Sequence, residues 1–308
     1  MIVHILFCFL TVEQAGDKLY SASDEKEGIA MIDFHAHTFP DKIAAAAVCK
    51  LEQKAHATSF SDGTREGLLR SMKAAGIDHA VVLPVATNPV KCASMNDTSH
   101  ALDGLDGLTY FAAIHPDAPD WHAELGRAKQ LGFKGVKIHP VYQDVAIDDP
   151  RFVRILQRCG ELGLIVVMHG GADIGFPGVV KCSPKMLRNA LNQAGPVTLV
   201  AAHMGGWRNW QEVPEYLLDT GVYLDTAYSL GAISPLDDHY APEELPMLAD
   251  ARFVELVRIF GSQRVLFGTD SPWDDMQKSV DRIRHLPLTE NEKTAIFSGN
   301  ALRLLGDA

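Results

Sequence analysis

Asp33-Phe34-His35-Ala36-His37 closes a short apolar run that begins at Met31. In an extended strand, residues i and i+2 point to the same side. His35 and His37 can therefore converge on one point, as two ligands of a single metal ion must. Taken alone, the pair also fits a polar strand end. Its weight comes from recurrence. Val167-Met168-His169-Gly170-Gly171, Ala201-Ala202-His203-Met204-Gly205-Gly206 and Phe267-Gly268-Thr269-Asp270-Ser271-Pro272 repeat one design: an apolar run, a metal- or proton-competent residue, then small or turn-forming residues.

Working outward, the chain alternates strand-like and helix-like segments from Met31 onward. Strands are expected near 31–35, 79–85, 109–114, 134–139, 164–168, 197–202, 221–226 and 264–269, rich in Val, Ile, Leu and Phe as strands buried on both faces should be. Apolar residues at three- and four-residue spacing mark helices over Arg65–Ala75, Trp121–Leu131, Arg151–Leu162, Pro184–Ala194, Trp210–Leu218, Arg252–Phe260 and Asp274–Arg284. Gly76, Gly132, Gly163 and Gly195 stand where left-handed helix caps are expected, and Thr289–Leu305 reads as a closing helix. This order predicts a (β/α)8 barrel. An open doubly wound sheet would need fewer strands, and no GxGxxG follows the first strand to support a dinucleotide.

Barrel active sites lie at the C-terminal ends of the strands. His35 and His37 end the first expected strand, His139 the fourth, His169 the fifth, His203 the sixth and Asp270 the eighth, so these groups share one rim.

The totals narrow the function. Across 308 residues the composition is 47% hydrophobic and 22% charged, suited to a globular protein with a substantial core. A net charge of -11 argues against a nucleic-acid binder, which needs a basic face. The five cysteines are scattered, with no CxxC, which fits reduced thiols in a cytoplasmic protein better than a disulfide framework or a thiolate zinc site. Met1–Val12 is apolar but too short for an ordinary membrane span and lacks a basic leader, so no membrane association is expected. Residues 1–30 read as an accessory extension or a start placed too early, ahead of a barrel domain over 31–308.

Together, these motifs resemble the amidohydrolase superfamily, in particular the amidohydrolase-related branch that includes aminocarboxymuconate-semialdehyde decarboxylase. The resemblance runs from Met31 to Leu305 and includes the closing Asn300-Ala301-Leu302-Arg303-Leu304-Leu305. It implies one divalent metal held by His35, His37, His169 and Asp270. Three imidazoles and a carboxylate suit Zn²⁺ first, with Mn²⁺ or Fe²⁺ as alternatives, and a second metal is less expected. Water on such a metal would be acidified toward neutrality. Asp270 would then act as proton acceptor and donor, while the resemblance places His203 beside the metal to polarise a carbonyl. The bland readings are a buried structural histidine for His169, a motif explained by its Gly-Gly turn for His203, and a helix N-cap for Asp270.

Strand alternation puts Lys137 and His139 on one side of the fourth strand. Lys137 is read first as a substrate-binding charge, then as a core ion-pair member, then as a carbamylated bridge between two metals. His139 accompanies it as a substrate-binding candidate. His115, Trp207, Trp210, Trp273, Asp225 and Tyr228 are weaker rim candidates, and the other histidines read as surface or packing residues.

The expected partner is a small molecule, carboxylated if Lys137 serves it. Hydrolysis of an amide, lactone or ester comes first, non-oxidative decarboxylation second and hydration third. A non-enzymatic metal-holding barrel is the remaining reading. Barrels of this kind often pair, so a homodimer is an open expectation that no single residue marks.

Overall fold

The computed structural model describes residues 31–306, and the expected extension over 1–30 lies outside them. Eleven strands form among these residues. Strand β1 (Ile32–Ala36) pairs in parallel with β2 (His79–Val82), and β2 with β3 (Leu108–Tyr110). Past Phe111 the same stave continues as β4 (Ala112–Ala113), which pairs with β5 (Gly135–Ile138). The ring proceeds through β6 (Ile165–Met168) to β9 (Leu199–Ala201), β10 (Tyr223–Asp225) and β11 (Val265–Leu266), all parallel. The strands β7 (Gly171–Ala172) and β8 (Val180–Cys182) form an antiparallel hairpin in the loop after β6.

Closure occurs between β11 and β1. Phe34 N donates to Phe267 O at 2.7 Å, Asp270 N to His35 O at 2.8 Å and His37 N to Ser271 O at 2.7 Å. The result is the (β/α)8 barrel that the alternation predicts.

Register decides which side chains face inward. Gly135 pairs with Ile165 and Lys137 with Val167, so these residues share the inner surface. Ile32, Phe34, Val81, Leu83, Phe111, Ile165, Val167, Val200 and Leu266 form one apolar cluster with Ala301 and Leu305. Phe34 meets Phe111 edge-to-face at 5.9 Å. A Cβ on Gly135 would lie 2.4 Å from the Phe111 ring, so that glycine makes room for the phenylalanine. An irregularity in β1 between Asp33 and Ala36 shifts the register there.

The helices form the outer layer. They are α1 (Asp41–Ala55), α2 (Arg65–Ala75), α3 (Cys92–Leu102), α4 (Trp121–Gln130), α5 (Pro150–Leu162), α6 (Pro184–Ala194), α7 (Val213–Leu217), α8 (Asp250–Phe260), α9 (Met276–His285), α10 (Glu290–Thr294) and α11 (Asn300–Leu305). In α5 the local signals agree: Asp149 caps the N-terminus by accepting from Arg151 N, Pro150 opens the helix and Gly163 closes it at φ 61°. Gly195 differs from the expected cap, pairing φ 78° with an extended ψ of -161°. The helix expected over Trp210–Leu218 starts only at Val213, where Pro214 suits a first turn. The closing helix is interrupted by a π turn over Ala295–Gly299.

No helix among the described residues is long and apolar enough to cross a membrane. Cys49, Cys92, Cys159 and Cys182 are all free.

Asn300 fastens the closing segment to the barrel. Its buried amide donates to Ser262 O at 2.7 Å and Val265 O at 2.6 Å, beside the start of β11. Asn300→Ala leaves both carbonyls without that donor and is expected to lower unfolding free energy by about 2–3 kcal/mol, read as a lower urea midpoint at unchanged slope.

Candidate active site

The strand ends assemble the site. Donor atoms of His35, His37 and Asp270 lie within 4.8 Å of one another, and those of His139, His169 and Asp173 form a second such group. Of the expected ligand set, the structure therefore brings His35, His37 and Asp270 together. His169 lies in the same cavity but in the second group, because its Nε2 turns to Ala172 O at 2.9 Å. His203 links the two groups: its ring centroid is 5.2 Å from that of His35, and its Nε2 is 3.0 Å from His169 Nδ1.

Counting protons shows what the first group needs. His37 Nδ1 faces the Leu83 carbonyl at 2.7 Å and must donate there. His35 Nδ1 donates to Asp225 Oδ2 at 2.8 Å, since Asp225 Oδ1 already accepts from His203 N at 2.8 Å and Ala227 N at 3.2 Å. In neutral rings both Nε2 atoms then carry lone pairs, and both face Asp270 Oδ1, at 3.3 Å from His35 and 3.1 Å from His37. Three acceptors converge, and the Lys137 amine donates to one of them, His35 Nε2, at 2.9 Å. Two nitrogens and a carboxylate aimed at one another fit a divalent cation.

The second group repeats the deficit. His169 donates through Nε2 to Ala172 O, and His203 through Nδ1 to Ala227 O at 2.9 Å. Their inner nitrogens then oppose each other as lone pairs. His139 stacks on His169 at 4.1 Å, with its Nε2 3.4 Å from Asp173 Oδ2, and its buried Nδ1 has no hydrogen-bond partner.

Burial sets the charge states. It pushes His169 and His203 down to about 4, and His35 and His139 well below the usual imidazole range, so these rings are neutral at pH 7. Burial pushes the Asp270 carboxyl up, but any proton carried by the adjoining His35, His37 and His203 rings outweighs it and draws the group below the usual carboxylate range. Lys137 is pushed down to about 8 by burial, against the pull of Asp270, Asp225 and Asp173, and remains mostly protonated at pH 7. Asp33 is pushed up to about 7 by burial, although its oxygens accept from His35 N, Thr269 N and Thr269 Oγ1.

Backbone strain accompanies the site. Asp270 and His203 sit at φ 64° and 60°, held by Asp270 N to His35 O and by the Asp225 bonds around His203. Trp210 Nε1 donates to His203 O at 2.9 Å, so that tryptophan props the strained turn from behind. The loops after β6 and β9 are latched together: Ala172 N donates to Trp207 O at 2.9 Å and Trp207 N to Gly170 O at 2.8 Å. Gly171, at φ 85°, would place a Cβ 2.3 Å from Trp207 N.

The weaker candidates divide. Trp207, Trp273 and Tyr228 line the cavity, whereas His115 accepts from Asp117 N as a turn residue. Asp225 is fully buried and orients His35 and His203 instead of lining the cavity. The cap of α9 is Asp275, not Asp270, whose carboxylate stays with the imidazoles. Asp173 was missed by sequence reasoning. Its signal is an acid four residues past His169, inside a Gly-rich loop that gives no strand or helix period.

Residues 32–306 match the amidohydrolase family model, and the chain belongs to that family. No curated protein sequence matches it. Solved structures share its fold. 5-Carboxyvanillate decarboxylase LigW from Sphingomonas paucimobilis is 17% identical, with TM-score 0.63 over 91% of this chain and 99% of that one. A 5-carboxyvanillate decarboxylase from Novosphingobium aromaticivorans, complexed with manganese and 4-hydroxy-3-methoxy-5-nitrobenzoic acid, is 14% identical, with TM-score 0.67 over 92% and 98%. A provisionally assigned 2-pyrone-4,6-dicarboxylic acid hydrolase from Pseudomonas putida is 18% identical, with TM-score 0.61 over 91% and 98%. At these identities the likeness establishes the fold.

Asp225→Asn replaces the carboxylate that orients the His35 ring. Outer partners of this kind typically contribute tenfold to a hundredfold in metal affinity. A loss of that size is expected for Mn²⁺ and Zn²⁺ in competition with a chelator, with the circular dichroism of the folded protein retained.

Proposed function

We propose that the chain is a metal-dependent carboxy-lyase that removes CO2 from a small carboxylic acid. The observation that carries this reading is Lys137. Its amine is buried at the floor of the cavity, against His35 and beside Asp270, where it offers a fixed positive charge to an oxyanion. The similar structures support the same order, since decarboxylases of carboxylated phenols are prominent among them. A divalent cation, when bound by His35, His37 and Asp270, with His169 as the expected further ligand, would act as a Lewis acid on substrate oxygens and acidify water.

The chain's own groups do the rest. Lys137 holds a substrate oxyanion as a point charge, and His139 lines the same cavity. The carbon–carbon bond to the carboxylate breaks, its electron pair stays on the substrate carbon and CO2 leaves. A solvent-derived proton, relayed by Asp270, takes the vacated position. His203 is held neutral by burial, and with its Nδ1 donating to Ala227 O its inward Nε2 is a proton acceptor, able to take a proton from a substrate hydroxyl and return it. Trp207, Tyr228 and Trp273 wall the cavity and limit competing water.

Hydrolysis of a lactone is the second reading, supported by the fold shared with the Pseudomonas putida protein. One experiment separates the two. Protein stripped with a chelator and reloaded with Mn²⁺ or Zn²⁺ is incubated with hydroxybenzoic acids and with 2-pyrone-4,6-dicarboxylate. CO2 release from an acid, lost on chelation and restored by metal, is the expected result. Ring opening without CO2 would favour hydrolysis instead. Lys137→Met is expected to lower kcat/KM by about thirtyfold or more, because truncating one buried charged partner costs roughly 2–5 kcal/mol.

A further inference from the structure

The cavity holding the site measures about 1100 Å³, just above the roughly 300–1,000 Å³ range of small-molecule pockets. A single carboxylated ring cannot fill it. Besides the reacting groups, the cavity is lined by residues of α1 and α3. The lining includes one face of α1, at Ile43, Ala47 and Leu51, and one face of α3, where Met95 and Leu102 flank the polar Thr98 and Ser99. The spacing of four residues along α1 and seven along α3 puts each set on a single helical stripe.

These residues line the cavity without being fully buried, and Met95 and Leu102 also pack against the core. Ile43 is 52% exposed, and Ala47, Leu51, Met95 and Leu102 are half-buried. Val85, after β2, adds a half-buried apolar side chain to the lining. A largely apolar lining beside a polar reacting end is the form a site takes when its ligand has a charged head and a hydrocarbon body. Lys54 sits over the Phe176 ring at 3.1 Å and ties the end of α1 to the loop after β6, so the α1 wall is joined to the site's own loops.

We infer that the substrate is a carboxylic acid with an extended apolar tail, its head at Lys137 and the metal-ligand cluster and its tail between α1 and α3. This rests on the carboxy-lyase reading for the head alone. The tail's place follows from the walls.

The test is an equilibrium titration of full-length, manganese-loaded protein, followed by tryptophan fluorescence, since Trp207 and Trp273 line the cavity. The probes are 2-hydroxybenzoic acid and its 4-butyl, 4-hexyl and 4-octyl derivatives. Kd is expected to fall about two- to fourfold per methylene that enters the cleft. Ala47→Trp on one wall and Met95→Trp on the other, made separately, should each flatten the series. A Kd indifferent to chain length, or a gain that survives at full size in both variants, overturns the inference. CO2 release, measured separately, keeps the two readings apart. Release from the short acid with no chain-length gain refutes the cleft and leaves the chemistry standing. A gain with no release from any acid supports the cleft and refutes the chemistry.

Discussion

The contact between Asp33 and Thr269 holds the site in register. Asp33 lies on β1 and Thr269 just past β11, the two staves whose meeting closes the barrel. The Asp33 carboxyl accepts from Thr269 N at 3.0 Å and Thr269 Oγ1 at 2.5 Å, and from His35 N at 2.9 Å. One buried side chain thus fixes the backbone leading into His35 and the backbone leading into Asp270. Because Asp270 sits at positive φ, its carboxylate reaches His35 and His37 only while that turn is held. Closing the fold and assembling the candidate ligands are one event.

Around that seam the polar groups are arranged with more acceptors than donors. Each ring's outer nitrogen is committed to a carbonyl or a carboxylate: His37 to Leu83 O, His35 to Asp225, His203 to Ala227 O and His169 to Ala172 O. The inner nitrogens are left as lone pairs facing one another at the buried end of the cavity, where acceptors without donors are costly. A cation relieves that cost. The Lys137 amine supplies one positive charge on the spot, and the remaining lone pairs suit a divalent ion. Stability and function pull in different directions here, and the outer hydrogen bonds keep the arrangement from collapsing.

Much of this was legible in the residues. The alternation of apolar runs with amphipathic stretches gave the barrel, and the position of His35, His37, His139, His169, His203 and Asp270 at strand ends gave the rim. Three things were hidden, each for a physical reason. Asp173 lies in an irregular loop, where no periodicity tells direction. Asp225 was visible at a strand end, but only packing shows that it faces two histidines and not the cavity. Helices α1 and α3 were not singled out, because few of the apolar residues on their cavity-facing sides are fully buried, and a run of alanines in α1 blurs its apolar period. The helices that the pattern missed are the ones that shape the room beside the site.

The latch between Gly170-Gly171-Ala172 and Trp207 has a consequence for how this cavity can be remodelled. Two loops that arise from different strands share main-chain bonds, and a side chain on Gly171 would strike the partner backbone. His169 and Asp173 ride on one of these loops, and Trp207 on the other. Neither can be redesigned as an independent module. A longer or shorter segment on one side drags its neighbour with it, so changes in ligand preference on this face would come as paired exchanges of both loops.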